Sequence, residues 1–367
     1  MQRLFLAAEG LQKRNNYQRL IWPLLKQMDA ETVHDRTIAA LALAQNNGAG
    51  RSLLRHIAGP LPQQPVELFG LTFPNFLGVA AGFDKEVQAT DGLALLGFGH
   101  IEVGTITPRP QAGNEKPRVF RLVEDEAIIN RMGFPSDGME IAQHRLRALA
   151  ANKRSYIIGA SLGKQKETPL AQAAGDYINV MRAMFSYADY LAVNISSPNT
   201  PELRALQGAK YLGDLLGSLT AENRRIAAEL DILPRPLLVK IAPDLSQSEL
   251  MTILQVALEK EMDGIIATNT TITRNDLIDK NRDQAGGLSG KPLATRSLDV
   301  ITTIARETAG RLPIIGVGGI RTADDVRSRL DAGASLVQIY TSLVYEGPGL
   351  PGRLLRELAT ANTAVEV

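Results

Sequence analysis

The sequence predicts an α/β protein: a (β/α)8 TIM barrel with a small N-terminal helical domain. Three observations lead there. From Asn75 onward, short apolar runs alternate with helical patterns eight times over about 290 residues. Such alternation means a parallel sheet, and eight units of this size close into a barrel. No G-x-G-x-x-G follows an early strand, which argues against an open dinucleotide-binding sheet. Nearly every apolar run ends in polar residues or glycine, as expected where barrel strands deliver their C-terminal ends to one mouth.

The eight strands are read at Leu77–Ala81, His100–Thr105, Tyr156–Ser161, Leu191–Ile195, Leu237–Ile241, Gly264–Thr268, Ile314–Val317 and Leu336–Tyr340. The helices between them fall near 86–97, 137–151, 169–186, 208–229, 246–260, 292–308, 322–332 and 349–362. Ser246-x-x-Glu249 and Thr322-x-x-Asp325 have the form of capping boxes. The segment from Pro108 to Phe134 is long for a βα loop and holds a β-like Arg118–Leu122; long insertions at this face usually serve the site. Ahead of the barrel, Val66 to Phe73 reads as a hairpin turning at Phe69-Gly70, placed to plug one end.

The barrel is expected to span 66–367. Residues 46–65, with Gly48, Gly50, Gly59, Pro60, Pro62 and Pro65, read as a linker. Residues 1–45 form a separate helical pair: Leu20, Ile21, Leu24, Leu25 and Met28 recur at helical spacing, and Asp29 caps a second helix from Ala30 to about Gln45. Residues 1–30 hold five basic residues (Arg3, Lys13, Arg14, Arg19, Lys26) against two acidic ones (Glu9, Asp29), a net of +3. A basic amphipathic pair suits an anionic membrane surface; packing on a core of its own is the simpler reading of the residues alone.

Composition narrows the function. Of 367 residues, 44% are hydrophobic and 22% charged, an ordinary balance for a globular chain. The net charge of +1 gives no extended nucleic-acid surface. The absence of cysteine excludes disulfides, thiolate nucleophiles and cysteine-ligated metals. Four scattered histidines show no metal-ligand spacing, no run approaches a bilayer span, and no cleavable signal peptide is expected.

The most informative stretch is Tyr190 to Arg204, YLAVNISSPNTPELR. A buried strand gives way within three residues to Asn194, Ser196, Ser197, Asn199 and Thr200, with Pro198 and Pro201 ending the pairing. Two amides and three hydroxyls at one strand end suit a planar polar ring with carbonyl and N–H edges. An ordinary hydrogen-bonded loop would use the same residues. The other strand ends add Lys85, Thr105, Lys240, Asn269 and Thr270 around the same mouth. Gly286 to Gly290 and Gly316 to Gly319 could present backbone N–H groups to a phosphate. Lys240 stands inside an apolar strand and needs a partner or a job: a salt bridge, a Schiff base, or positive charge beside a flavin.

Together, AAGFDK, EVGTITPRPQ.GN, RVFRLVED..IINRMGF, NISSPNTPELR, VKIAPDLS, ATNTT, GGLSGKPL, GVGGI and ASLVQIY closely resemble the class 2, quinone-linked dihydroorotate dehydrogenases of pyrimidine synthesis. The resemblance runs from about residue 20 to the end. It implies oxidation of dihydroorotate to orotate, with hydride transfer to one FMN per chain and reoxidation by a membrane quinone. Ser197 would be the base. Lys85, Asn130, Arg131, Met132, Gly133, Phe134, Asn194, Asn199, Asn269 and Thr270 would surround the substrate. Ala80, Ala81, Gly82, Phe83, Asp84, Thr105, Ser161, Asn194, Lys240 and Thr268 would contact the flavin. Gly290, Gly318, Gly319, Tyr340 and Thr341 would hold its phosphate. His34 and Arg121 would lie near the quinone. The helical pair becomes a membrane and quinone domain, and the protein a monomer on the cytoplasmic face of a bacterial inner membrane.

Class 1 enzymes resemble this barrel but use a cysteine base, which this chain does not have. Two positions depart from the family's pattern. Ser161 replaces the usual Asn before Leu-Gly-Lys, and Tyr340-Thr341 replaces Tyr-Ser. Two other chemistries are open: a Schiff-base aldolase acting through Lys240, and a phosphate- or flavin-binding barrel without catalysis. Another FMN-dependent dihydropyrimidine oxidoreductase is the nearer alternative.

Overall fold

The computed structural model describes residues 15–200 and 202–365. Arg3, Lys13 and Arg14, three of the five basic residues behind the expected charge, lie outside them, as do Pro201 and the acidic Glu9.

Eight parallel strands close into a barrel in chain order: β1 (Leu77–Val79), β2 (His100–Ile106), β3 (Ile157–Leu162), β4 (Tyr190–Asn194), β5 (Leu237–Ile241), β6 (Gly264–Ala267), β7 (Ile314–Val317) and β8 (Ala334–Ile339). β8 pairs back onto β1 through Val337 opposite Leu77. Strands such as β5 read as unbroken apolar runs because helices cover one face and packed side chains fill the other. Register fixes the site: Asn194 on β4 stands opposite Lys240 on β5. Both capping boxes form, with Ser246 and Thr322 each accepting from the backbone three residues on. The hairpin pairs Val66–Leu68 with Leu71–Phe73, and Phe69 and Gly70 both have positive φ (56° and 71°). That is what a tight two-residue turn requires. Its Phe73 is fully buried and meets His100, the first residue of β2, edge-on at 5.5 Å. The barrel's N-terminal end is therefore closed.

Before the barrel come short helical turns at Tyr17–Ile21 and Trp22–Leu25, then α1 (Ala30–Gln45) and α2 (Gly48–Ala58). Asp29 caps α1 by accepting from Thr32 N. The expected linker is thus mostly helix. Asn47 accepts from Gly50 N, and the helix stops at Gly59, whose φ of 71° suits glycine. The two early glycines masked a helical pattern that Leu54 and Ala58 complete from the buried side.

The long insertion after β2 forms a separate antiparallel sheet. Val119–Leu122 pairs with Ala127–Asn130, which pairs in turn with Gly287–Gly290. The glycine run at 286–290, read as a backbone cradle for a phosphate, is mainly an edge strand. Gly290 has φ +99°, and a Cβ there would sit 2.5 Å from the Glu126 carbonyl.

Candidate active site

One cavity of about 1170 Å³ runs from the barrel mouth to the space between α1 and α2. Its polar end is built from the exits of β4 and β6. Asn194 Nδ2 donates to Thr105 Oγ1 at 2.8 Å, while Asn194 Oδ1 accepts from Ser196 Oγ at 3.1 Å. Asn269 Nδ2 donates to Ser196 Oγ at 2.9 Å, and Asn199 Nδ2 reaches Asn130 Oδ1 at 3.1 Å. The amides are therefore pinned by one another before any ligand enters. Ser197 is buried, and its Oγ accepts from Asn199 N at 3.2 Å. Its hydroxyl proton is not committed to an acceptor among the described residues. Thr200 Oγ1 is buried with no hydrogen-bond partner among them. Lys85 also lines this end. Burial pushes its pKa below the ordinary lysine value, against the pull of Asp35 and Glu31.

The floor is charged. Lys240 Nζ lies 2.9 Å from Glu102 Oε1, with Glu102 fully buried on β2. Glu102 Oε2 accepts from Gln338 Nε2 at 3.0 Å and from Tyr190 OH at 3.2 Å. This is the salt bridge that the sequence left open. It also occupies the nitrogen that a Schiff-base aldolase would need free, and the aldolase reading loses its nucleophile. Glu102 and Gln338 were not foreseen. Glu102 carries the same signal as Lys240, a charge inside an apolar strand (His100-Ile101-Glu102-Val103).

A third wall is backbone. Gly318 (φ +123°) and Gly319 (φ +67°) follow β7 and press on the start of the helix Ala294–Thr308, where a Cβ on Gly319 would sit 2.4 Å from Ala294 Cα. Thr341 Oγ1 and Ser289 Oγ are 2.8 Å apart across the cavity edge. The buried Ser342 Oγ has no partner among the described residues. Tyr340 OH donates to the Gly82 carbonyl at 3.3 Å.

Most expected site residues line this one cavity: Ala80, Ala81, Gly82, Phe83, Lys85, Thr105, Asn130, Met132, Gly133, Phe134, Asn194, Ser197, Asn199, Lys240, Thr268, Asn269, Thr270, Gly290, Gly318, Gly319, Tyr340 and Thr341. Three stand off its wall. Asp84 turns back to accept from Gln88 N and Ala89 N at 2.8 and 2.9 Å, capping the next segment. Arg131 binds Gln284 Oε1 at 2.9 Å and lies over the Phe120 ring at 4.5 Å, tying the insertion together. Ser161 is fully buried behind Thr105, with the two hydroxyls 3.0 Å apart. It orients a wall residue instead of forming the wall.

The other end of the cavity is apolar. Val33, Ala40, Leu41, Leu54 and Ile57 from α1 and α2 line it, with His34 and Arg121 also present. Burial, helped by the nearby Lys85 charge, pushes the His34 pKa down to about 3, so the ring is neutral. Its edge meets Phe83 at 5.2 Å. Arg121 donates to the Leu25 carbonyl at 2.8 Å and also to that of Met28, closing the helical turns onto the insertion. Arg118 and Glu31, both buried, do the same for α1 through a 2.7 Å ion pair.

Comparison with known proteins agrees with this geometry. A family model described as "Dihydroorotate dehydrogenase" matches residues 64–361. A protein named dihydroorotate dehydrogenase (quinone) from Christiangramia forsetii is 47% identical over 335 residues, covering 91% of this chain and 96% of that protein. One of the same name from Chloroflexus aurantiacus is 48% identical over 351 residues, covering 94% and 96%. A crystal structure of DHODH from Eimeria tenella in complex with ferulenol superposes with a TM-score of 0.82 at 37% identity, over 92% of each chain. With the family model spanning most of the barrel and relatives this similar along almost its whole length, the chain belongs to the dihydroorotate dehydrogenase family.

Proposed function

We propose that this protein oxidises dihydroorotate to orotate, using FMN as the resident hydride acceptor and a membrane quinone as the final one. The observation that carries the reading is the continuity of a single cavity. Hydrogen-bonding groups and a cation occupy one end, orphaned polar atoms and glycine turns the middle, and apolar helices the other end.

The residues fit FMN. Gln338 Oε1 and Ser342 Oγ are buried on the cavity wall without partners among the described residues. They suit, respectively, a polar ring and a phosphate. Lys240 offers positive charge to a ring edge, and Gly318, Gly319 and Thr341 offer backbone N–H groups beyond β7 and β8, where barrels commonly hold phosphate. When bound, FMN supplies the acceptor for the C6 hydride and passes two electrons on to the quinone.

The chain's own work is binding and proton transfer. Lys85 pairs with the substrate carboxylate, and Asn130, Asn194, Asn199 and Asn269 hold its amide edges in one plane. Ser197 Oγ takes the proton from C5. A serine hydroxyl is a weak base, so its proton must leave along hydrogen bonds. Thr200 Oγ1, buried three residues on, makes no hydrogen bond to Ser197 or to any other described residue, so we assign it as a relay that connects to Ser197 through water once the site is filled, passing the proton on toward solvent. The apolar space between α1 and α2 takes the quinone. Leu20 and Leu24 are 67–70% exposed beside Arg19 and Lys26 in the chain, and Leu43 of α1 is 72% exposed, which supports a peripheral seat on an anionic membrane; we assign this to the cytoplasmic face of a bacterial inner membrane. No helix among the described residues is long and apolar enough to cross a bilayer.

The test is an absorption spectrum. Purified protein should be yellow, bleach with dihydroorotate under anaerobic conditions, and regain colour with a quinone. A yellow protein that dihydroorotate leaves unchanged would refute the substrate. A protein colourless after FMN is supplied would refute the cofactor.

A further inference from the structure

The cavity floor contains a carboxylate that touches no ligand space, yet it controls two groups that do. Glu102 and Tyr190 are fully buried and off the cavity wall, whereas Lys240 and Gln338 line it. The four come from four strands, β2, β4, β5 and β8. A carboxylate only accepts hydrogen bonds, and this one receives three: Lys240 Nζ at 2.9 Å, Gln338 Nε2 at 3.0 Å and Tyr190 OH at 3.2 Å. Two consequences follow. The Gln338 carboxamide must turn its NH2 toward Glu102, which leaves Oε1 of this cavity-lining residue without a partner among the described residues. The Lys240 charge is shared with a negative charge behind it, so the cavity sees less than a full cation.

We infer that Glu102 is a positioning residue for the flavin: it anchors Lys240, orients Gln338 and, by partly offsetting the Lys240 charge, lowers the reduction potential of the bound ring. Coulomb interaction between groups this close and this buried is weakly screened, so removing one charge is felt strongly by a neighbour. The inference rests on the FMN reading above, and its test separates the two.

Glu102→Gln keeps the size and the acceptor toward Lys240 and removes the negative charge. The bound flavin of this variant should titrate at a higher midpoint potential, favouring the reduced ring at least tenfold, about 30 mV for a two-electron couple. Tyr190→Phe keeps the carboxylate but takes away one of its hydrogen bonds, leaving more uncompensated negative charge; its potential should move the other way. A merely structural role would lower the melting temperature or the FMN content and leave the potential of the flavin that remains unchanged. Stoichiometric FMN with an unshifted potential in Glu102→Gln overturns the inference while the cofactor reading stands. If Glu102→Gln does not retain FMN, Tyr190→Phe decides alone: a lower potential supports the inference and an unchanged one overturns it. A wild-type protein that binds no FMN removes the inference together with the reading it rests on.

Discussion

The two ends of the cavity are made of opposite materials. At the Ser197 end, the amides of Asn194 and Asn269 and the Ser196 hydroxyl bond to one another and to Thr105 at 2.8–3.3 Å, so these donors are aimed before a ligand arrives, while the Ser197 hydroxyl stays free to turn. At the α1–α2 end, Val33, Leu41, Leu54 and Ile57 offer shape and little direction, beside a neutral His34. The first end suits a small polar molecule that must sit in one pose. The second suits a long apolar molecule that only has to approach. The contrast implies two half-reactions that separate experimentally, and it breaks if a change at one end disturbs the other.

The largest effect is expected from Ser197→Ala. Loss of a general base slows chemistry by roughly a hundred- to ten-thousand-fold. Stopped-flow bleaching by dihydroorotate should slow to that extent, with FMN still bound. Quinone oxidation of dithionite-reduced enzyme should keep its rate; if it falls in parallel, the two ends are not independent.

The second change addresses what joins them. Arg118 lies on the insertion that supplies Asn130, and it pairs with Glu31 of α1 while also donating to the carbonyls of Ala112 and Asn114 at 2.6 and 2.8 Å. Truncating one member of a buried pair costs about 3 kcal/mol or more because its partner is stranded. Arg118→Met should lower the melting temperature by several degrees and raise the quinone KM more than the dihydroorotate KM. Equal changes in both would mean that the insertion serves the polar end alone.

Lys85→Met comes next. A hydrogen bond to a charged group contributes about 2 kcal/mol, roughly thirtyfold in kcat/KM for dihydroorotate. The pH dependence has two limbs. Removal of the C5 proton speeds up as pH rises. Burial holds Lys85 below the ordinary lysine value, so it gives up its cation early on the alkaline side and substrate affinity falls there. Steady-state profiles should show kcat rising while the dihydroorotate KM climbs. A KM that stays flat up to the ordinary lysine range would remove Lys85 from the carboxylate.

Much of this was legible in the sequence, for reasons that also mark the limits. β5 and β7 fall on the residues expected, because unbroken apolar runs between helices leave little choice. The caps at Asp29, Ser246 and Thr322 form because their hydrogen bonds are local. Where partners are distant, local pattern failed. Gly287–Gly290 became a strand because its partner, Ala127–Asn130, lies some 160 residues earlier. Side-chain aim failed too. Asp84 and Ser161 sit at strand ends as expected, but one turns back to cap its own backbone and the other hides behind Thr105. Motif position says which residues reach the mouth, whereas which way each points depends on neighbours several strands away.

The smallest effect concerns the end of the barrel that the cavity does not reach. His100 starts β2, is fully buried against Phe73, and neither ring nitrogen has a partner among the described residues. Burial pushes its pKa from 6.5 down to about 4, the nearby Glu102 charge offsetting this only in part. The folded state therefore holds this ring neutral where the unfolded chain would protonate it. Its stabilising contribution is complete above pH 6.5 and drains away as pH falls toward 4, by about 1 kcal/mol between pH 7 and 5.5. Carboxylates that arginines hold low, such as Glu222 at about 2 through Arg225 and Arg182, also lose stability in acid, but equally with or without His100. His100→Leu should therefore unfold in urea with a flatter dependence on pH than the wild type, whatever its stability at pH 7. Parallel curves from pH 7 to 5.5 would mean that water reaches the imidazole, and the closed end of the barrel would then be as open to protons as the Lys85 end.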